Sequence, residues 1–167
     1  MVIKILKYII LALVVAFCQT ILSNLTSILG IAPNFGTILI FLIVLRTDFE
    51  TALPAAFLVG LVIDALNPEN LGLGTATRFA IAAAVHEIKQ HLDIDRIQTR
   101  LYLLIGSEFC FQSIYQLAVN SFDFGSVPRI YLEVSLPTLA YTVVVGMAIM
   151  LLTDLDYKLE IRRRSLG

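Results

Sequence analysis

The chain has 167 residues, of which 58% are hydrophobic and 15% are charged, whereas soluble globular domains have roughly 45–50% and about 25%. With a mean hydropathy of +0.87, this composition argues against a soluble enzyme, a disordered protein and a coiled coil. The net charge of −1 and the lack of a clustered basic face argue against nucleic-acid binding. The sequence therefore indicates an integral membrane protein, with residues 1–167 forming one transmembrane domain.

The first membrane segments lie in a stretch without charged side chains, residues 8–45. This stretch is too long for a single crossing, which takes about 20 helical residues. Gly30 and Pro33 divide it, because they supply a turn signal, and we predict spans at residues 8–28 and 31–45. Basic residues before the first span resemble a secretory signal, but no cleavage site of small residues follows, so we expect the first helix to be retained.

Four further apolar segments follow, each opened by a polar or charged turn. A re-entrant hairpin of the second and third spans would place the charges between them at mid-bilayer, where each would cost about 2.5–3.5 kcal/mol. We therefore expect both spans to cross the membrane fully. The predicted fold is an all-α polytopic membrane protein, a compact bundle of six transmembrane helices. The last four spans are predicted at residues 51–66, 73–88, 101–120 and 130–152.

The lysines and arginines set the predicted orientation. Six crossings place ten of the twelve on the side of the two termini and leave Arg78 and Arg129 on the other side. Basic residues are enriched in cytoplasmic loops. We therefore expect both termini in the cytoplasm.

A stripe of small residues runs along the third span. Ala52, Ala56, Gly60 and Asp64 recur at intervals of four and so share one helix face. Small residues at this spacing allow helices to approach closely, so Asp64 should face protein and not lipid. One interpretation is tight packing with a hydrogen-bonded aspartate, and the other is contact with a partner or ligand.

Asp64 and Arg78 are predicted at similar depth, near the outer ends of the third and fourth spans. An ion pair would offset the cost of removing both charges from water, and we predict that they contact each other directly or through water. The alternative is that Arg78 extends outward to the membrane surface.

The fifth span carries a polar stripe of Glu108, Gln112, Gln116 and Asn120, again every fourth residue. Such a stripe is unsuited to face lipid, so it either joins the helices by hydrogen bonds or lines a cavity. Pro137 in the sixth span is expected to kink its helix and free a carbonyl.

Motifs of catalysis are missing from the sequence. It has no nucleophile elbow, phosphate-binding loop, metal motif or histidine-bearing triad, so we expect no enzyme activity, no cofactor and no metal. Cys18 and Cys110 lie in apolar runs and predict neither a disulfide nor a zinc site. The inner loop, residues 86–100, is expected to rest on the membrane or to dock a cytoplasmic protein, with His86 and His91 as ordinary loop residues.

A familiar order of motifs spans residues 33–84. The segment PNFGTILIFL at residues 33–42 precedes a polar turn and a small-residue helix ending Gly-Leu-Val-Ile-Asp at 60–64, and Leu-Gly at 71–72 opens an alanine-rich helix. This pattern resembles the bacterial rod shape-determining MreD family. The positions that match the family pattern are Pro33, Asn34, Gly60, Asp64, Leu71 and Gly72.

The resemblance implies a scaffold in the bacterial inner membrane. Members of the family bind MreC and connect cytoplasmic MreB filaments to the synthases that extend peptidoglycan, which maintains rod shape. The resemblance also implies a fold similar to the substrate-binding subunits of energy-coupling-factor transporters.

The alternative function is such a transporter subunit, binding a vitamin. Ala12 and Ala16 match the small-residue spacing with which those subunits dock their coupling partner. A vitamin pocket usually needs aromatic and polar groups at the outer face, however, and this chain has no Trp. A gene encoding a single-span protein with a periplasmic β domain nearby would favour the scaffold, and a pair of ATPase genes would favour the transporter.

Overall fold

The computed structural model describes residues 31–66, 72–120 and 127–165, and also Ile10, Val14 and Phe17, with side chains given as far as residue 153. These residues form five helices. They are α1 (Phe35–Arg46), α2 (Phe49–Ala65), α3 (Leu73–Lys89), α4 (Ile97–Val119) and α5, which begins as Val127–Ile130, passes through a π-helical turn at Tyr131–Ser135 and continues as Leu136–Ser165.

Helices α1 to α5 occupy the positions predicted for spans two to six, with corrected ends. Helix α1 begins at Phe35 and not at residue 31, because Asn34 caps it: the Asn34 Oδ1 accepts a hydrogen bond from the Thr37 N–H at 3.2 Å. Helix α4 begins four residues earlier than predicted, at Ile97, which packs on the hydrophobic core. The predicted span at residues 8–28 lies outside the described residues, apart from three helical positions.

Helix α1 lies at the centre of the described bundle and contacts α2, α3, α4 and α5. It is apolar on all sides, which is typical of a helix surrounded by others. Its buried side chains pack with residues of the four neighbouring helices in a single core. That core includes Ile40, Phe41, Val44, Ala52, Val59, Ala82, Val85, Leu104 and Met150.

Helices α2 and α3 form the most extensive contact of the bundle. The predicted small-residue stripe lies in it, since Ala52, Ala56, Gly60 and Asp64 are all buried. A Cβ atom on Gly60 would lie 2.9 Å from the Thr75 Cα, so only glycine permits this separation of the two backbones. The prediction that Asp64 faces protein is confirmed.

Helix α5 is irregular just before Pro137. The Leu136 N–H donates to the carbonyl of Tyr131, five residues back, which defines the π-helical turn. Proline has no N–H to donate to the carbonyl four residues before it, so the ordinary α-helical ladder is interrupted at this point. The irregularity lies where the sequence predicted a kink.

One helix among the described residues, Pro128–Thr153, is long and apolar enough to cross a membrane. Helices α1, α2 and α3 have 12, 17 and 17 residues, which at about 1.5 Å per residue is less than the roughly 30 Å of a bilayer core. The described chain is thus all-helical with one helix that is both long and apolar enough to span a membrane, and the count of six crossings stays a prediction.

Candidate functional site

A layer of buried polar side chains crosses the bundle and includes members from every described helix. We call it the polar layer. Its members are at most 8% exposed, and Glu108 is fully buried. They are Asn34 and Thr37 at the start of α1, Asp64 on α2, Thr75 and Arg78 on α3, Glu108 and Gln112 on α4, and Thr142 on α5.

Asp64 caps the neighbouring helix α3. Its Oδ2 accepts hydrogen bonds from the Gly72 N–H at 3.0 Å, the Thr75 N–H at 2.7 Å and the Thr75 hydroxyl at 2.8 Å. The first N–H groups of a helix have no partner within it, and the helix dipole favours an anion there. Gly72 precedes α3 with a φ of 92°, a conformation that glycine adopts without strain.

The predicted contact between Asp64 and Arg78 is confirmed. The Arg78 Nη1 donates to the Asp64 Oδ1 at 3.2 Å, and Arg78 is only 8% exposed. The alternative, in which Arg78 extends to the membrane surface, is therefore wrong. The guanidinium carbon also lies 4.6 Å from the centre of the Phe111 ring, so Arg78 joins α3 to α4 by a cation–π contact.

Gly74 leaves room for this ion pair beside the α3 backbone, because it has no side chain. A Cβ atom on Gly74 would overlap both the Asp64 Oδ1 and the Arg78 Nη1. The pair is therefore enclosed by backbone on one side and by the Phe111 ring on another. This close fit has no counterpart in the sequence prediction, which named Gly72 and not Gly74.

Glu108 and Asn34 together connect three helices. Its Oε1 accepts hydrogen bonds from the Gln112 amide at 2.8 Å and from the Asn34 amide at 3.4 Å. The backbone N–H of Asn34 in turn donates to the Thr142 hydroxyl at 2.9 Å. Of the two interpretations of the polar stripe, joining the helices by hydrogen bonds describes Glu108, whereas Gln112 bonds to Glu108 within α4.

The outer part of the same stripe differs. Gln116 and Asn120 are only half-buried, and the Asn120 amide donates to the Gln116 side-chain oxygen at 3.3 Å. These two residues therefore pair with each other at the end of α4 and form no side-chain hydrogen bond to another helix within the described part of the chain.

The part of the polar layer between Thr37 and Arg78 encloses little free volume. Thr37 Oγ1 and Arg78 Nε are buried without a hydrogen-bond partner, and both side chains border a cavity of about 10 Å³. A volume of roughly 10–15 Å³ holds one water molecule. This small cavity thus has space for one solvent molecule beside the two unpartnered atoms. A second cavity, of about 320 Å³, opens at the Asp64 end of the layer and is lined by Asp64, Gly72 and Thr75 together with apolar side chains of α2 and α3.

The opposite end of α3 carries a second connection to α1. The Lys89 ammonium donates to the carbonyls of Val44 and Thr47 at the end of α1. His86 is helical and buried, not the loop residue that was expected, because α3 continues to Lys89. Its ring packs edge-on against Phe49, with the ring centres 5.1 Å apart.

Several of these residues were not singled out by the sequence. Thr75 could have been found from its place three residues after Gly72, a capping position at the start of a helix. Thr142 and Lys89 gave no comparable signal, because their partners lie far away along the chain. Leu71, which matched the family pattern, lies outside the described residues.

Comparison of the chain with protein-family models, with curated proteins and with solved structures finds no match. Among the described residues, no group of three or more His, Cys, Asp or Glu side chains could hold a metal ion.

Proposed function

We propose that this chain is a multi-pass scaffold of the bacterial inner membrane, of the MreD type. In this role it binds MreC and links MreB filaments to peptidoglycan synthesis, and it carries out no catalysis of its own. The single observation that carries the proposal is that the segment with the family-like pattern, residues 33–84, folds into one interlocked unit of α1, α2 and α3. The matching residues Gly60 and Asp64 make contacts that join α2 to α3 in this unit, and Asn34 joins the start of α1 to Glu108 on α4.

The distribution of polarity supports insertion of the whole bundle into lipid. Charged and amide side chains are buried in the polar layer, whereas large apolar side chains cover the outside. Phe57 is 46% exposed, Tyr102 72% and Val144 66%. Extensive exposed apolar surface marks contact with a membrane or with partners. Helices shorter than the bilayer are tolerated where neighbours shield them or the bilayer thins locally.

The position of the polar layer supports the predicted orientation. Asp64 and the start of α3 lie at one end of the bundle, whereas Lys89 and the end of α1 lie at the other. Arg46, Lys89, Arg96 and Arg100 all belong to the second end, which the positive-inside rule assigns to the cytoplasm. Reporter fusions after Asp48 and Asp93 should therefore report the cytoplasm, and fusions after Pro68 and Gly125 the periplasm.

The decisive experiment for the function is depletion in the source bacterium with purification of the tagged chain from detergent. Depleted cells should lose rod shape, and a single-span protein with a periplasmic domain should co-purify. An Asp64→Leu variant should fail to restore shape, while a Glu133→Gln variant at an exposed pair should restore it. Cells that stay rod-shaped but require a vitamin would overturn the scaffold and favour the transporter subunit.

A further inference from the structure

A larger cavity lies at the end of the bundle opposite Asp64. It has a volume of about 360 Å³ and opens between α1, α4, α5 and the loop before α4. This volume is within the range of about 300–1,000 Å³ that is usual for small-molecule sites. Its described lining divides into a polar part, Arg46, Asp95 and Arg100, and an apolar part, Leu42, Leu45 and Met150.

Arg46 is a basic residue in the last turn of α1 that is not needed to cap the carbonyl groups there. It is the last residue of α1, but the carbonyls there already accept hydrogen bonds from Lys89. Arg46 is exposed and forms no ion pair with a carboxylate of the described residues. Its guanidinium therefore lies at the cavity without a carboxylate partner among the side chains that the structure describes.

The start of α4 adds to the attraction for an anion. The Arg100 Nε donates to the Ile94 carbonyl at 2.6 Å, which fixes this side chain in the cavity wall. No side chain caps the first N–H groups of α4, and the positive end of a helix dipole favours negative charge. Asp95 opposes this effect with one carboxylate.

We propose that this cavity binds the headgroup phosphate of an anionic phospholipid from the inner leaflet. The Arg46 guanidinium matches a phosphate diester in charge and geometry, and the start of an acyl chain lies along Leu42, Leu45 and Met150. A free phosphate would gain nothing from that apolar wall. Basic pockets between membrane helices on the cytoplasmic side are suited to such headgroups. The inference rests on the proposed orientation in the membrane.

The test is native mass spectrometry of the full chain released from detergent micelles containing phosphatidylglycerol or phosphatidylcholine. The chain should retain phosphatidylglycerol in preference to phosphatidylcholine. Arg46→Gln should lower this retention about fivefold, the contribution of one basic residue near an anionic lipid surface. The matched control is Arg96→Gln, since Arg96 is exposed like Arg46 but does not line the cavity and is paired with Asp93 at 2.9 Å.

Two outcomes would overturn the inference. Equal retention of the two lipids, or unchanged retention in Arg46→Gln, would show that Arg46 does not select an anionic headgroup. Glycerol 3-phosphate binding as strongly as phosphatidylglycerol would identify a soluble phosphate ligand instead of a lipid. Basic residues elsewhere in the chain are the same in both variants and so do not affect the comparison. Failure of lipid binding would leave the scaffold proposal intact, because shape restoration and co-purification test that separately.

Discussion

At the Asp64 side chain, three hydrogen bonds from the start of α3 and one ion pair to Arg78 converge on a single carboxylate. Removing one partner of a buried ion pair leaves the other charge without compensation, which costs about 3–5 kcal/mol. Asp64→Leu and Arg78→Leu should each lower the free energy of unfolding by this amount. Unfolding in detergent, followed by circular dichroism, measures the effect.

The control for this pair is an exposed one. Arg129 and Glu133 also form an ion pair, at 2.8 Å, but their side chains are 82% and 60% exposed. Exposed pairs contribute about 0–1 kcal/mol, so Glu133→Gln should change stability little. Wild-type stability in both Asp64→Leu and Arg78→Leu would contradict the role assigned to the buried pair.

Two helical glycines offer a matched comparison of available space. Gly74→Ala introduces a methyl group where the Asp64–Arg78 pair lies, whereas no atom lies within 4 Å of a Cβ on Gly106. We expect Gly74→Ala to destabilise the chain, and Gly106→Ala to stabilise it by up to about 1 kcal/mol, the difference in helix propensity. Midpoints of thermal unfolding should move in opposite directions, and equal shifts would argue against the close fit around Gly74.

At the scale of the elements, Glu108 is the residue through which α4 holds α1. Glu108→Leu leaves the amides of Asn34 and Gln112 without an acceptor, and a buried group left unpaired costs about 1–3 kcal/mol. Glu108→Gln keeps an acceptor and the shape of the side chain, so its loss should be smaller. Comparison of the two unfolding free energies, with Gln116→Leu as the half-buried control, tests this. Equal losses in all three would contradict it.

Pairings between elements also mark the limit of what the sequence could predict. Asp64 and Arg78 are 14 residues apart. Asp64 lies near the end of α2 and Arg78 near the start of α3, so the order of the spans was enough to place them at the same depth. Asn34 and Glu108 are 74 residues apart. The period of four on α4 indicates which face is polar, but it does not indicate which helix that face meets. For the same reason, the hydrogen bonds from Lys89 to the end of α1 could not be predicted from the sequence.

At the scale of the whole molecule, the all-helical class of the described residues was predictable, because long apolar segments divided by turn residues favour helices. The positions of the helix ends were less predictable from the sequence. Residues 97–100 precede the span predicted at 101–120, yet α4 begins at Ile97 because this side chain packs on the core. Helix ends that are set by tertiary packing, or by capping residues such as Asn34, can be located only when the three-dimensional arrangement is known.

Cys110 tests whether lipid covers the apolar exterior. It is exposed on α4, beside Phe109, which is 50% exposed. In a Cys18→Ser variant, Cys110 should resist a water-soluble maleimide in intact membranes, because the bilayer excludes the charged reagent, and should react fully after denaturation in detergent. Gel shifts with the maleimide attached to a polymer measure this.

The labelling control places a cysteine in a loop. Asn70→Cys, in a chain without Cys18 and Cys110, should react in whole cells, since this loop is proposed to face the periplasm. Rapid labelling of Cys110 in sealed membranes would contradict burial of the α4 surface in lipid.

Because the aspartate that ends α2 itself supplies the acceptor for the first turn of α3, the register of these two helices does not depend on the peptide that joins them. Natural variants could lengthen or shorten residues 67–70 without changing how the helices meet. A connection of this kind is suited to diverge between species while the helices on either side stay matched.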